Sequence, residues 1–240
     1  MTALIRILAV CMLCVVARHA LSFHLQHGHF VLGAGAYQGI QGSSQTIAIT
    51  GLIGDRYNVS NQHDSNAIVE LGYLLDGTHR EQLGIDYGLN VFYLPKTSVS
   101  GTIDQELIYS NLAYSYDVSH LPVYAAVKGY LQPENDRFAV TMDAGIGPNF
   151  LQTSAYQDWS LNGSTTSPDH AFSGRWNVAF TAMAGIGLKV HHAIGHLPLE
   201  CGYRLFYLGE GYFNARSTQL LNHLDTGNNY AQAVMCSVQI

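Results

Sequence analysis

From Trp176 to Val190 the chain alternates without interruption. Trp176, Val178, Phe180, Ala182, Ala184, Ile186, Leu188 and Val190 share one face, and Asn177, Ala179, Thr181, Met183, Gly185, Gly187 and Lys189 share the other. Successive side chains of a strand point to opposite faces, so a strict period of two with one apolar face specifies a strand at the boundary between an apolar and a polar medium. Strands of water-soluble domains run about 5–6 residues, whereas a tilted strand crossing a bilayer needs about 9–11. This segment is long enough to cross.

The same alternation recurs. Leu83, Ile85, Tyr87, Leu89, Val91 and Tyr93 oppose Gly84, Asp86, Gly88, Asn90 and Phe92; Phe138, Val140, Met142, Ala144 and Ile146 oppose Thr141, Asp143, Gly145 and Gly147. Shorter runs around Val69–Tyr73 and Val123–Val127 follow suit. Only 12% of residues are Asp, Glu, Lys or Arg, about half the share usual in soluble domains, although 48% are hydrophobic. Beyond the N-terminus no stretch approaches the roughly 18 consecutive apolar residues of a membrane helix. A closed barrel is the other way to span lipid with every backbone group hydrogen-bonded. These features predict an all-β fold, a single antiparallel up-and-down transmembrane β-barrel with meander topology and 8 to 10 strands.

Ten candidate strands can be marked: 29–38, 45–58, 66–75, 81–94, 105–118, 122–132, 137–152, 174–191, 198–209 and 229–240. An eight-stranded barrel with one extra hairpin is compatible with the same pattern, because 51–55 reads equally well as a bend. Thr153–Ser173 and Gly209–Asn228 are the long polar linkers, and counting back from a periplasmic C-terminus puts both on the outer side. The same count puts the short links Asp76–Arg80 and Ser119–Leu121 on that side too.

Residues 1–22 have the form of a secretory signal peptide, leaving 23–240 as one barrel domain. Arg6 gives a positive n-region, Ile7–Ala17 an apolar core too short to span, and Ala20-Leu21-Ser22 small residues at the cleavage position. Loss of Arg6 and Arg18 with that leader leaves 9 basic against 17 acidic side chains. An acidic chain without a basic cluster argues against nucleic acid as a partner.

Inward positions gather nearly all the strand charges: Glu70, Asp86, Lys128, Asp143, Arg175, Lys189, Glu200 and Arg204. A narrow barrel has room for side chains and little else, and charges there must be paired or hydrogen-bonded. Four acids and four bases predict a packed polar lumen; a charge-lined pore is the alternative. Cys201 and Cys236 fall on outward positions and oppose each other if their hairpin is symmetric about residue 218 or 219. A disulfide in an oxidising compartment and two separate small thiols both fit.

His24, His27 and His29 near the mature N-terminus, and His191, His192 and His196 near a turn, lie at one end of the barrel, but their spacing alone assigns no metal or cofactor. Asp169-His170 and His223-x-Asp225 sit in loops with nothing to fix their geometry, so no catalytic group is assigned and no enzyme is expected. Tyr156, Trp159, Tyr212 and Phe213 are aromatic loop residues, expected to be exposed.

The stretches Phe138-Ala-Val-Thr-Met-Asp-Ala-Gly-Ile-Gly-Pro-Asn-Phe150, Ala184-Gly-Ile-Gly-Leu188 and Leu199-Glu-Cys-Gly-Tyr-Arg-Leu-Phe-Tyr-Leu-Gly209 resemble the small porin-family or opacity-type outer-membrane barrels of gammaproteobacteria, related in architecture to the barrel of outer-membrane protein A. That family usually ends in phenylalanine, whereas this chain ends Val238-Gln239-Ile240 with the alternation kept. The resemblance implies a monomer in the bacterial outer membrane, surrounded by lipid and lipopolysaccharide. It also implies a structural or surface-interaction, adhesin-like role, with an extracellular protein or host surface as partner. A narrow porin is the alternative.

Overall fold

Alternating apolar positions become a wall because every second side chain can be left outside while the backbone pairs with its neighbours on both sides. The computed structural model describes residues 28–80, 82–131, 137–161, 163 and 166–240. The leader expected at 1–22, and His24 and His27, lie outside the described residues. Among the described residues there are twelve strands: β1 (Gly28–Ile40), β2 (Gln45–Ile47), β3 (Asp55–Asn61), β4 (His63–Arg80), β5 (Leu83–Gln105), β6 (Tyr109–Leu131), β7 (Phe138–Ser160), β8 (Phe172–Ser173), β9 (Arg175–Ile194), β10 (Leu197–Gly209), β11 (Asn214–Ala215) and β12 (Asn229–Gln239).

Eight of them close a ring in the order β1, β4, β5, β6, β7, β9, β10, β12, with β12 pairing back onto β1, all antiparallel. The β2–β3 hairpin is the extra one and lies on the far end of β5, Tyr57 opposite Ile103. Of the 8 to 10 strands expected, eight form the wall, and the 45–58 candidate is the one extra hairpin. Against the ten candidates, one surplus strand is that hairpin and the other a split of β6 at Pro122, while Pro95 only cut β5 short. Leu94-Pro95 reads as a strand end, yet β5 passes through a register shift between Leu94 and Thr97 and continues to Gln105. Leu121-Pro122 reads as a turn, yet Ser119, His120, Leu121 and Pro122 pair with Gln152, Leu151, Phe150 and Asn149 in an unbroken β6. A proline need not end a strand where its missing N–H falls at an irregularity or on a free side.

Merging those segments reverses the direction of the candidates between 66 and 118. Asp76–Arg80 belongs to β4 at the end with the short turns, not to an outer link. β7 also runs on to Ser160, which shortens the Thr153–Ser173 linker. Both described termini lie at the turn end, and residues 41–62, 166–174 and 210–228 extend from the loop end.

The outer face is apolar. Val69, Leu71, Leu89, Val127, Met142, Ile146, Ile186, Leu205 and Val234 are all about half exposed or more. No Asp, Glu, Lys or Arg occupies the outward positions that alternate with these from Val69 to Leu75, Leu83 to Tyr93, Phe138 to Phe150 or Trp176 to Val190. A continuous apolar belt of that extent far exceeds the few hundred Å² that soluble monomers expose, and its natural solvent is lipid.

Candidate functional site

Inside the wall the side chains stack in layers. In the half of the lumen toward the turn end, Arg204 is held by three carboxylates: its Nε donates to Asp143 Oδ2 at 2.7 Å, its Nη1 lies 3.5 Å from Glu70 Oε2 and its Nη2 3.6 Å from Glu200 Oε1. Lys128 Nζ donates to both oxygens of Glu200 at 2.9 and 2.8 Å, and Asn90 Nδ2 donates to Glu70 Oε1 at 3.1 Å. All six residues are buried. The strands that carry them, β4, β5, β6, β7 and β10, face each other around the ring, so this layer crosses the lumen.

Of the eight inward charges expected to pair, five do so here: Glu70, Lys128, Asp143, Glu200 and Arg204. Asp86 is buried but lies lower, against His29 and His79. Lys189 sits beside it, donating to Gln239 Oε1 at 2.5 Å and lying over the Tyr130 ring at 4.6 Å. Arg175 is corrected outright. It is exposed at the loop end of β9, opposite Thr153 and above the apolar belt. Parity along a strand tells inside from outside but not height.

Above the ions lies a layer that sequence reasoning did not single out. Phe92, Tyr124 and Phe206 meet at centroid distances of 5.2 to 6.2 Å, packed among Ile68, Met183, Ala233 and Met235. The signal was present: Phe92 and Tyr124 are large rings at inward positions, where a water-filled channel favours polar groups. A polar belt follows, in which Asn149 Nδ2 contacts His120 Nδ1 at 2.9 Å and donates to the carbonyl of Leu208 at 2.7 Å.

The loop end is capped. Tyr57, Tyr114, Tyr116, Phe172 and Phe213 are buried in one cluster with Ile103, Leu151 and Leu224, and Tyr156 packs against it. Tyr57 and Tyr156 hydroxyls lie 3.2 Å apart, and burial pushes both well above the usual tyrosine range. Phe213 and Tyr156 are thus structural, whereas Trp159 and Tyr212 are exposed as expected. Asp158, His170 and Asp225 fasten the cap. Asp158 accepts from the backbone N–H of His170 at 3.0 Å and pairs with its Nδ1 at 2.6 Å, while Asp225 accepts from the N–H of Gly227 at 3.0 Å.

Beyond the cap, the β2–β3 turn and the β5–β6 turn adjoin: the N–H of Ile53 donates to Glu106 Oε2 at 2.9 Å and that of Glu106 to Asp55 Oδ1 at 3.0 Å. Leu52, Ile53, Leu107, Ile108 and Tyr109 are exposed there, between 48% and 68%. Glu106 and Leu107 have φ of 52° and 60°, a left-handed conformation that costs a non-glycine residue about 1–2 kcal/mol. On the wall, Cys201 lies opposite Cys236 across β10 and β12, and the two are joined as a disulfide.

No family model and no curated protein matches the sequence. Among solved structures, the chain is similar to the outer membrane protein OprG from Pseudomonas aeruginosa, with 10% identity, a TM-score of 0.50, and 89% of this chain and 96% of that one covered. It is also similar to the outer membrane protease OmpT from Escherichia coli (9% identity, 91% and 97% covered, TM-score 0.49) and to Ail of Yersinia pestis (8%, 89% and 99%, TM-score 0.34). With the closed eight-stranded ring and its apolar belt, the likeness to OprG establishes the outer-membrane β-barrel fold.

Proposed function

We propose that the protein is a monomeric outer-membrane surface protein in which a sealed barrel anchors an apolar binding tip. The loop end faces outward, as in barrels that keep their short turns in the periplasm. One observation carries the reading: two successive layers, the Phe92–Tyr124–Phe206 rings and the Arg204-centred ions, reach across the lumen. A filled barrel serves as an anchor rather than a conduit. The tip supports an interaction role, because Leu52, Ile53, Leu107 and Ile108 stay exposed on a strained turn where polar residues and glycine would be more stable. An apolar surface on an extracellular protein is the matching partner. Asp158, His170 and Asp225 are engaged in fastening the cap, which fits a role without catalysis.

Single-channel recording of the purified protein in planar bilayers tests the reading. Sealed barrels give no regular steps, and ohmic steps of constant size would favour the narrow porin instead. For the tip, bacteria displaying the I53D/I108D double variant should lose adhesion to immobilised host-surface proteins that hold the wild type. Undiminished adhesion would remove the tip from the proposal.

A further inference from the structure

At the turn end of the barrel a cavity of about 440 Å³ is lined by His29, Asp76, His79, Asp86, Lys189 and His191, among others. Three of these draw together. His29 Nδ1 lies 3.3 Å from Asp76 Oδ1 and its Nε2 4.0 Å from Asp86 Oδ2, and one ligand atom from each of His29, Asp76 and Asp86 falls within 4.8 Å of the others. We propose that this trio is a binding site for a divalent first-row transition ion such as Zn²⁺, open to the periplasm.

Four observations carry it. Asp76 and Asp86 are direct cross-strand partners on β4 and β5, an opposition of like charges that ordinarily destabilises a sheet and that a shared cation would reverse. Among the described residues, the ion pairs of both carboxylates run only to imidazoles. His29 Nε2 is buried without a hydrogen-bond partner and points toward Asp86. Finally, Asp86 is already oriented by groups that do not compete for the ion: its Oδ1 pairs with His79 Nε2 at 3.2 Å and accepts from the N–H of Gly77 at 3.3 Å, leaving Oδ2 toward His29. Such outer support for a carboxylate is characteristic of metal centres.

One imidazole nitrogen and two carboxylate oxygens form a mixed N/O set that suits Zn²⁺ and its neighbours in the series, with water completing the coordination. Metal–ligand bonds of about 2.0–2.2 Å bring ligand atoms to within roughly 3–4 Å of each other, so only a small contraction of the trio is needed. Lys189, tied to Gln239 and Tyr130 in the same cavity, and Arg80 are cations lining it and set a limit on affinity through repulsion.

Titration calorimetry of the refolded protein in zinc-free detergent, with Zn²⁺ as the only added ligand, should give one site per chain. H29Q and D86N should abolish it. D76N changes a half-exposed side chain, so the barrel folds regardless, and should weaken binding about tenfold or more; H79A should weaken it on the order of tenfold as a supporting residue. K189Q should tighten it. H196A and H24A/H27A, which alter other imidazoles of the same chain, should leave it unchanged. Co²⁺ in place of Zn²⁺ should show visible d–d bands that D76N alters. Failure of the wild type to retain Zn²⁺, or retention by H29Q and D76N equal to the wild type, would overturn the proposal.

Discussion

Phe92 and Phe206 meet edge to face, ring centroids 5.2 Å apart and planes at 72°, although β5 and β10 stand on opposite sides of the eight-stranded ring. Side chains of that length reach the barrel axis from both sides, so the wall is braced from within as well as by its own ladders. Truncating Phe206 to alanine should cost about 3–5 kcal/mol, the usual loss for a buried ring. Conductance should stay at baseline, because the ionic layer below still crosses the lumen; urea unfolding in detergent and bilayer recording check the two halves separately.

The ionic layer contains three carboxylates, Glu70, Asp143 and Glu200, against two cations, Lys128 and Arg204. Removing a cation strands buried anions, so Arg204→Met should destabilise by about 3–5 kcal/mol. Glu70→Gln removes the excess anion and should change stability by no more than about 1 kcal/mol in either direction. Equal losses for the two variants in urea unfolding would contradict the assignment of Arg204 as the hub.

Cys201 and Cys236 close a loop of 35 residues in sequence between adjacent wall strands. The paired Cys201→Ser, Cys236→Ser variant should fold to the same barrel but unfold with roughly 2–4 kcal/mol less stability. Wild-type protein should show the same loss on reduction, and the double variant should be insensitive to reductant.

Leu107 at φ 60° is a glycine position occupied by leucine. Leu107→Gly should raise the thermal stability of the loop end by about 1 kcal/mol while reducing adhesion, a separation of stability from function expected where a strained residue is retained for contact. Loss of both together would mean that Leu107 serves packing.

Asp55 and Asp225, both at the loop end, are held above the usual carboxylate range by burial; the N–H groups of Glu106 and Gly227 partly oppose this, and the nearby acids Glu106, Asp169 and Glu210 add to it. A raised carboxyl pKa favours the folded cap below the ordinary value of 3.8, and the contribution disappears as pH rises through the folded value. The cap should therefore be tighter in acid than at neutrality. Acrylamide quenching of Trp159 in a W176F background should weaken on acidification, and the D55N/D225N variant should lose that dependence.

The wall was legible because parity is a local property: Trp176 to Val190 announces its two faces residue by residue. The five-residue ionic layer was legible for the same reason. Arg175 was not, since inward parity persists above the membrane. Lys128 shows a second limit. It is the register partner of Asp86, yet its long side chain crosses to Glu200, a choice made by three-dimensional reach rather than by pairing. The approach of His29 to Asp76 was hidden by the strand count, inflated by the split at Pro122 and by the 45–58 hairpin, which put those residues on opposite sides of the membrane.

The wall strands are unequal. β5, β6 and β7 each have 23 residues and β12 has 11, so at a rise of about 3.3 Å per residue and a tilt of about 40° one side climbs roughly 58 Å and the other roughly 28 Å. The mouth is cut on a slant, and the molecule has a compass bearing in the plane of the bilayer. With the loop end outward, as proposed, a surface approaching the cell would meet the β5–β6 summit first. Spinning of the barrel about its axis, irrelevant for a level mouth, becomes part of every encounter.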